Sequence, residues 1–162
     1  MGLLSRLFGP PVPRDPVAVI MEAIRQIKLG VYWRLSKKYE AAKLGKEGYT
    51  LAYAVTYELF MDVEGARSLG DYVAHHADTI NREATEALQD REICRAVSVA
   101  LAGEIMARAG AADDKAGWEC VVEHASRFGI VIANITQEWG WGSKSISRLY
   151  RYATEFRRAS AK

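Results

Sequence analysis

Two glutamates stand alone in apolar surroundings: Glu58 within "TLAYAVTYELFM", and Glu104 as the one charge between Arg95 and Arg108. A carboxylate drawn into an apolar pocket resists ionisation, and a raised pKa is what an acid or base catalyst, or a ligand anchor, exploits. At helical spacing Glu58 shares a face with Leu51 and Val55, and Glu104 with Ile93, Val97 and Ala100, so both are expected to be buried. Tyr49, Tyr53 and Tyr57, four residues apart, run alongside and form the wall of such a pocket. An acid among tyrosines binds a ligand without specifying a reaction. No G-x-S-x-G elbow, Cys-His signature or H-E-x-x-H motif is present. Glu58, Glu104, Tyr53 and Tyr57 are therefore candidate ligand-binding residues, and no catalytic residue or enzyme class is assigned. The competing reading pairs each acid with an arginine, a tyrosine or a helix end, as buried charges require.

A second stretch, "EWGWGSKSIS" at residues 138–147, resembles a phosphate loop only superficially. A true loop reads G-x-x-x-x-G-K-[ST] after a strand; here the spacing differs and a predicted helix precedes. What survives is a helix start at Ser143, Lys144 and Ser145, where free N–H groups and the helix dipole attract an anion. The plainer alternative is a corner: Gly140 and Gly142 turn the chain, Ser143 caps the next helix, and Trp139 and Trp141 pack. Beyond it Ile146, Leu149, Tyr150, Ala153 and Phe156 share one helical face, opposite Lys144, Arg148, Arg151 and Arg158. A basic amphipathic helix suits nucleic-acid phosphates, an anionic membrane surface or an acidic protein. Ser143, Lys144, Arg148, Arg151 and Arg158 thus form a candidate anion or partner surface.

Metal chemistry finds less support. His75 and His76 are neighbours, pointing about 100° apart on a helix, whereas chelation from one helix needs i, i+4 spacing. Glu123 and His124 would have to join them, and no Glu in the chain has a His three residues later, as a di-iron bundle requires. No metal and no cofactor is expected.

The elements that position these residues are helices. Asp15 caps the first, with Pro16 at its first position and Ile20, Ile24, Ile27, Val31 and Leu35 on one face, ended by Gly45 and Gly48. A second is predicted from Tyr49 to Glu64 and a third from Leu69 to Leu88, opened by a capping box at Ser68 and Asp71. The third carries Val73, Ala77, Ile80, Ala84 and Leu88 opposite Asp71, His75, Asp78 and Arg82. Asp90 caps a fourth that Gly110 stops; Asp113 or Asp114 starts a fifth running to Trp139; Ser143 starts the sixth. The fourth and fifth, with "AVSVALAGEIMA" and "FGIVIANI", are apolar on most sides and are expected to be central. The fold class is all-α, a compact bundle of about six helices.

With 162 residues, 49% hydrophobic and 26% charged, the chain suits a single domain over residues 15–162, preceded by an apolar leader and proline-rich linker at 1–14. The longest apolar runs fall well short of the roughly 20 residues that span a bilayer, the N-terminus makes a poor signal peptide, and Cys94 and Cys120 form no C-x-x-C pair. A cytoplasmic location with reduced thiols is expected. Charge is segregated: +6 over residues 1–46, −7 over 47–94, −2 over 95–142 and +5 over 143–162. Basic ends and an acidic middle let the termini fold onto the middle, or one molecule meet another head to tail.

Three functions follow as expectations. The first is a non-enzymatic helical interaction protein, a regulator, adaptor or small structural subunit. It docks a protein partner or itself as a homo-oligomer, through Leu3, Leu4, Leu7 and Phe8 of the leader or through the basic last helix. Those leader residues also allow a weak peripheral membrane contact. The second is nucleic-acid binding through residues 143–162. The third is a small-ligand-binding protein or enzyme with its pocket near Glu58, Glu104 and the tyrosines.

Overall fold

A computed structural model describes residues 15–124, 127 and 144–162. Among them the chain is all-helical and packs as a bundle: α1 (Pro16–Ala41), α2 (Lys46–Leu59), α3 (Val63–Ser68), α4 (Asp71–His75), α5 (Ala77–Ala87), α6 (Arg91–Arg108), α7 (Asp114–His124) and α8 (Ser145–Ala161). No described helix is long and apolar enough to cross a membrane.

Eight helices stand among the described residues where about six were expected for the chain: the predicted second helix ends early and a short helix follows it, and the predicted third is divided. The predicted second ends at Leu59: Met61 takes φ +53°, its amide donates to Glu58 O, and the Asp62 amide reaches back to Tyr57 O at 2.8 Å. That double hydrogen bond is a Schellman stop, and Asp62 then caps α3 by accepting from the Gly65 amide at 2.9 Å. The predicted third helix breaks at His76, whose φ of −119° separates α4 from α5. The expected capping box does not form, since the Ser68 hydroxyl donates to Gly65 O within its own helix.

Asp15 and Asp90 cap α1 and α6 as expected, accepting from Val17 N at 3.2 Å and from Glu92 N and Ile93 N at 2.9 and 3.3 Å. Gly110, at φ +64°, ends α6. The end of α1 differs from expectation: Lys43 supplies the left-handed residue at φ +59°, and Gly48 lies inside α2. There its missing side chain allows contact with α1, for a Cβ would meet Tyr39 Cβ at 3.2 Å.

The expected central pair is met in part among the described residues: the fourth helix is α6, while the "FGIVIANI" stretch of the fifth lies outside them. α1 is packed by α2, α6 and α8 and buries Ile20, Ala23, Ile24, Ile27, Val31 and Leu35. α6 packs on α1, α7 and α8 and buries Val97, Val99, Ile105 and Met106. Of the expected fifth helix, α7 is the described part and buries Gly117 and Val121. On α5 the buried stripe is Ile80, Ala84 and Ala87, while Leu88 and Ala77 are exposed; Asp71, His75, Asp78 and Arg82 face water as the sequence pattern requires. The leader 1–14 and the Trp139–Ser143 corner lie outside the described residues.

Candidate functional site

The antiparallel pair α1 and α2 exposes a seam along which one side chain from each turn meets another. Lys28, Tyr32, Ser36 and Glu40 repeat every four residues on α1, and Tyr49, Tyr53 and Tyr57 do so on α2. Tyr32 stacks on Tyr53 with ring centroids 4.1 Å apart, and Tyr53 on Tyr57 at 6.1 Å. The Tyr57 ring lies flat against Gly65 of α3, where any Cβ would collide with it. Tyr53 shares a hydrogen bond with Tyr32, and this first, then partial burial and the neighbouring phenols, raises its pKa above the ordinary tyrosine value. Neutral stacked phenols offer flat apolar faces with hydrogen-bonding edges, a chemistry of binding.

Each end of the seam opens into a hollow. At one end a cavity of about 300 Å³ lies between Lys28, Phe60, Met61, Asp62, Glu104 and Arg108, with Leu101 and Ile105 in its apolar wall. Lys28 Nζ lies 3.8 Å from Asp62 Oδ2 and over the Phe60 ring, and Arg108 Nε lies 4.0 Å from Glu104 Oε2. At the other end a cavity of about 380 Å³ is lined by Ser36, Glu40, Lys43, Gly45, Gly48 and Tyr49. There Ser36 Oγ is buried with no hydrogen-bond partner among the described residues.

The exposed apolar residues concentrate on this seam. Tyr49 is 49% exposed, Tyr53 42%, Met61 63% and Val63 61%, and Leu44 joins them beside Gly48; of eight large apolar side chains exposed among the described residues, these are five. The backbone marks the same two places. Lys43 and Met61 are the non-glycine residues with positive φ among those described, and each lines one hollow. A left-handed conformation costs a non-glycine residue roughly 1–2 kcal/mol, and such strain concentrates at functional sites.

The structure brings together part of the pocket predicted from the sequence. Tyr53 and Tyr57 meet on the seam, and Glu104 lines the hollow at one end, one-third exposed. Glu58 is exposed and lines neither hollow, contrary to its expected burial. The buried face of α2 runs through Leu51, Ala54, Val55 and Leu59, and Glu58 is exposed on that side as the last residue but one of the helix. Sequence spacing alone missed Lys28, Tyr32 and Ser36, because α1 reads as an unbroken core helix. Their i, i+4 repeat was the available signal.

The predicted anion site at the start of α8 is filled from within. Asp114 Oδ1 accepts from the Ile146 and Ser147 amides at 2.8 and 3.2 Å, the Ser147 hydroxyl reaches Oδ2 at 3.1 Å, and the Ser145 hydroxyl donates to Asp114 O at 2.6 Å. Ser143 lies outside the described residues, and Lys144 is exposed. The faces of α8 fall as predicted: Ile146, Leu149, Ala153 and Phe156 are buried, while Arg148, Arg151 and Arg158 are exposed, with Arg151 paired to Glu155 at 3.1 Å. His75 Nδ1 lies 2.8 Å from Asp71 O, and His76 packs on Tyr72. No group of three or more His, Cys, Asp or Glu side chains among the described residues is gathered as a metal site.

The chain matches no protein-family model, and neither the curated proteins nor the solved structures yield a match.

Proposed function

We propose that this chain is a non-enzymatic helical docking protein whose α1–α2 seam receives a protein partner. The observation that carries the reading is the clustering of exposed Tyr49, Tyr53, Met61 and Val63 on one face. Tyrosine and methionine are enriched where proteins meet, because they add large contact area at small entropic cost. An exposed apolar face of this kind on a bundle that already has a full core marks an interaction surface.

The test places a photo-reactive benzoylphenylalanine at Tyr53 in cells making the chain, with Leu88 of α5, an exposed apolar residue away from the seam, as control. Irradiation is expected to yield a discrete protein adduct from Tyr53, diminished by Tyr49→Ala with Met61→Ser. Equal adducts from Leu88, or none from Tyr53, would overturn the reading.

A further inference from the structure

We infer that α3 and α4, residues 62–76, form a strap that lifts off the bundle as one unit and opens the hollow between Asp62 and Glu104. This goes beyond the docking reading, because it concerns how that end of the seam moves and not what the tyrosines meet. Between Leu59 at the end of α2 and Ile80 in α5, both buried, no residue from Phe60 to Thr79 is buried. α3 and α4 lie within that stretch, and neither gives a buried side chain to the core. α3 packs chiefly on α2, and α4 on α5, their neighbours in the chain. Leu69, Tyr72 and Val73 touch the core while only partly buried, and Met61 and Val63 face water. Segments with so little apolar burial open locally, at far less cost than the whole fold.

The polar contacts of the strap are self-contained. Asp62 accepts from the Gly65 amide, the Ser68 hydroxyl donates to Gly65 O, and His75 Nδ1 meets Asp71 O. The Ala66, Leu69, Gly70, Tyr72 and His76 amides likewise find their carbonyls inside it. Among the described residues one side-chain ion pair ties the strap to another helix, Lys28 Nζ to Asp62 Oδ2 at 3.8 Å, longer than a hydrogen bond. That pair is the latch. The chain breaks at both ends and in the middle: Met61 takes φ +53°, Gly70 +57° and His76 −119°. Across the hollow of about 300 Å³, Asp62 and Val63 stand in one wall and Leu101, Glu104 and Ile105 of α6 in the other. Lifting the strap parts these walls and uncovers Leu101 and Ile105. Helices of six and five residues do not persist in water, so lifting also melts α3 and α4.

The experiment is hydrogen exchange followed by NMR on the full chain, over urea concentrations below the unfolding transition. The Gly65, Ala66, Gly70 and His76 amides are expected to share one opening equilibrium, at least about a hundredfold more open than the amides of α1 and α6 and only weakly dependent on urea. Gly65→Ala, whose new methyl group collides with the Tyr57 ring, should raise that opening at least about tenfold. Lys28→Gln, which releases the latch, should raise it about threefold, with α1 and α6 unchanged in both variants. Opening equilibria that differ between α3 and α4 would mean separate fraying and overturn the single strap. Exchange of the strap at the rate and urea dependence of α1 would overturn it as well, as would Gly65→Ala lowering protection equally in α1 and α6.

Discussion

A carboxylate at residue 114 answers the question raised by the polar start of the last helix. Asp114 belongs to α7, yet it accepts the two amides that α8 leaves open at Ile146 and Ser147. It acts as an N-cap supplied by another helix, joining two elements that lie far apart in the sequence. Asp114→Ala is expected to lower unfolding free energy by about 1–2 kcal/mol, read from urea denaturation, whereas Asp114→Asn, which keeps an acceptor, should lose less. Tyrosines set a second residue-level property. Burial, then Glu83 and Glu86 nearby, raises the pKa of Tyr39, whose hydroxyl donates to Glu83 Oε2 at 3.2 Å; burial and Glu92 raise that of Tyr152. In the unfolded chain these phenols ionise near pH 10, and in the fold they resist doing so. Their stabilising contribution is therefore complete below about pH 10 and lost as pH rises through the raised folded values. Urea midpoints should fall above about pH 10, and Tyr39→Phe with Tyr152→Phe should flatten that fall.

Among the elements, the contact between α1 and α8 is held by small residues and shared hydrogen bonds. A Cβ at Gly30 would come within 2.6 Å of Phe156 Cε1, so the two helices approach more closely than an alanine permits. Arg34 Nε donates to Ser160 Oγ at 2.8 Å, Lys37 Nζ to Ser160 O at 2.7 Å, and the Arg34 guanidinium lies over the Phe156 ring at 5.0 Å. The end of α8 is thereby fastened to α1. Gly30→Ala is expected to cost about 1–3 kcal/mol through overpacking, seen as a lower Tm, and Phe156→Leu in the same chain should recover part of it.

Over the whole molecule, the surface divides between charge and apolar area. The outer side of α8 exposes Arg148, Arg151 and Arg158, while the seam between α1 and α2 carries most of the exposed apolar side chains among the described residues. A partner fitted to the seam meets tyrosine faces first and charges at the two ends. The cross-linking outcomes for Tyr53 against Leu88 therefore address the molecule as a whole.

Much of the helical plan was legible in the sequence. Asp15, Asp90, Asp113 and Gly110 act within one or two turns of chain, so local spacing sufficed to place them. The amphipathic faces of α8 and the water-facing side of α4 and α5 were likewise set by periodicity. What failed was decided between elements. Glu58 shares a nominal face with buried Leu51, Ala54 and Val55 yet is exposed near the end of α2, and no single-helix pattern reports how far along a helix its neighbours reach. Lys43 and Met61 adopt left-handed turns that their residue types disfavour, held by the backbone hydrogen bonds of two helix ends. The amino-acid sequence by itself determined where helices start and which sides are apolar, because both are properties of a few consecutive residues. Only the tertiary structure decided that Asp114 closes the α8 amides and that four tyrosines and two hollows make one face, because each depends on the distance between helices.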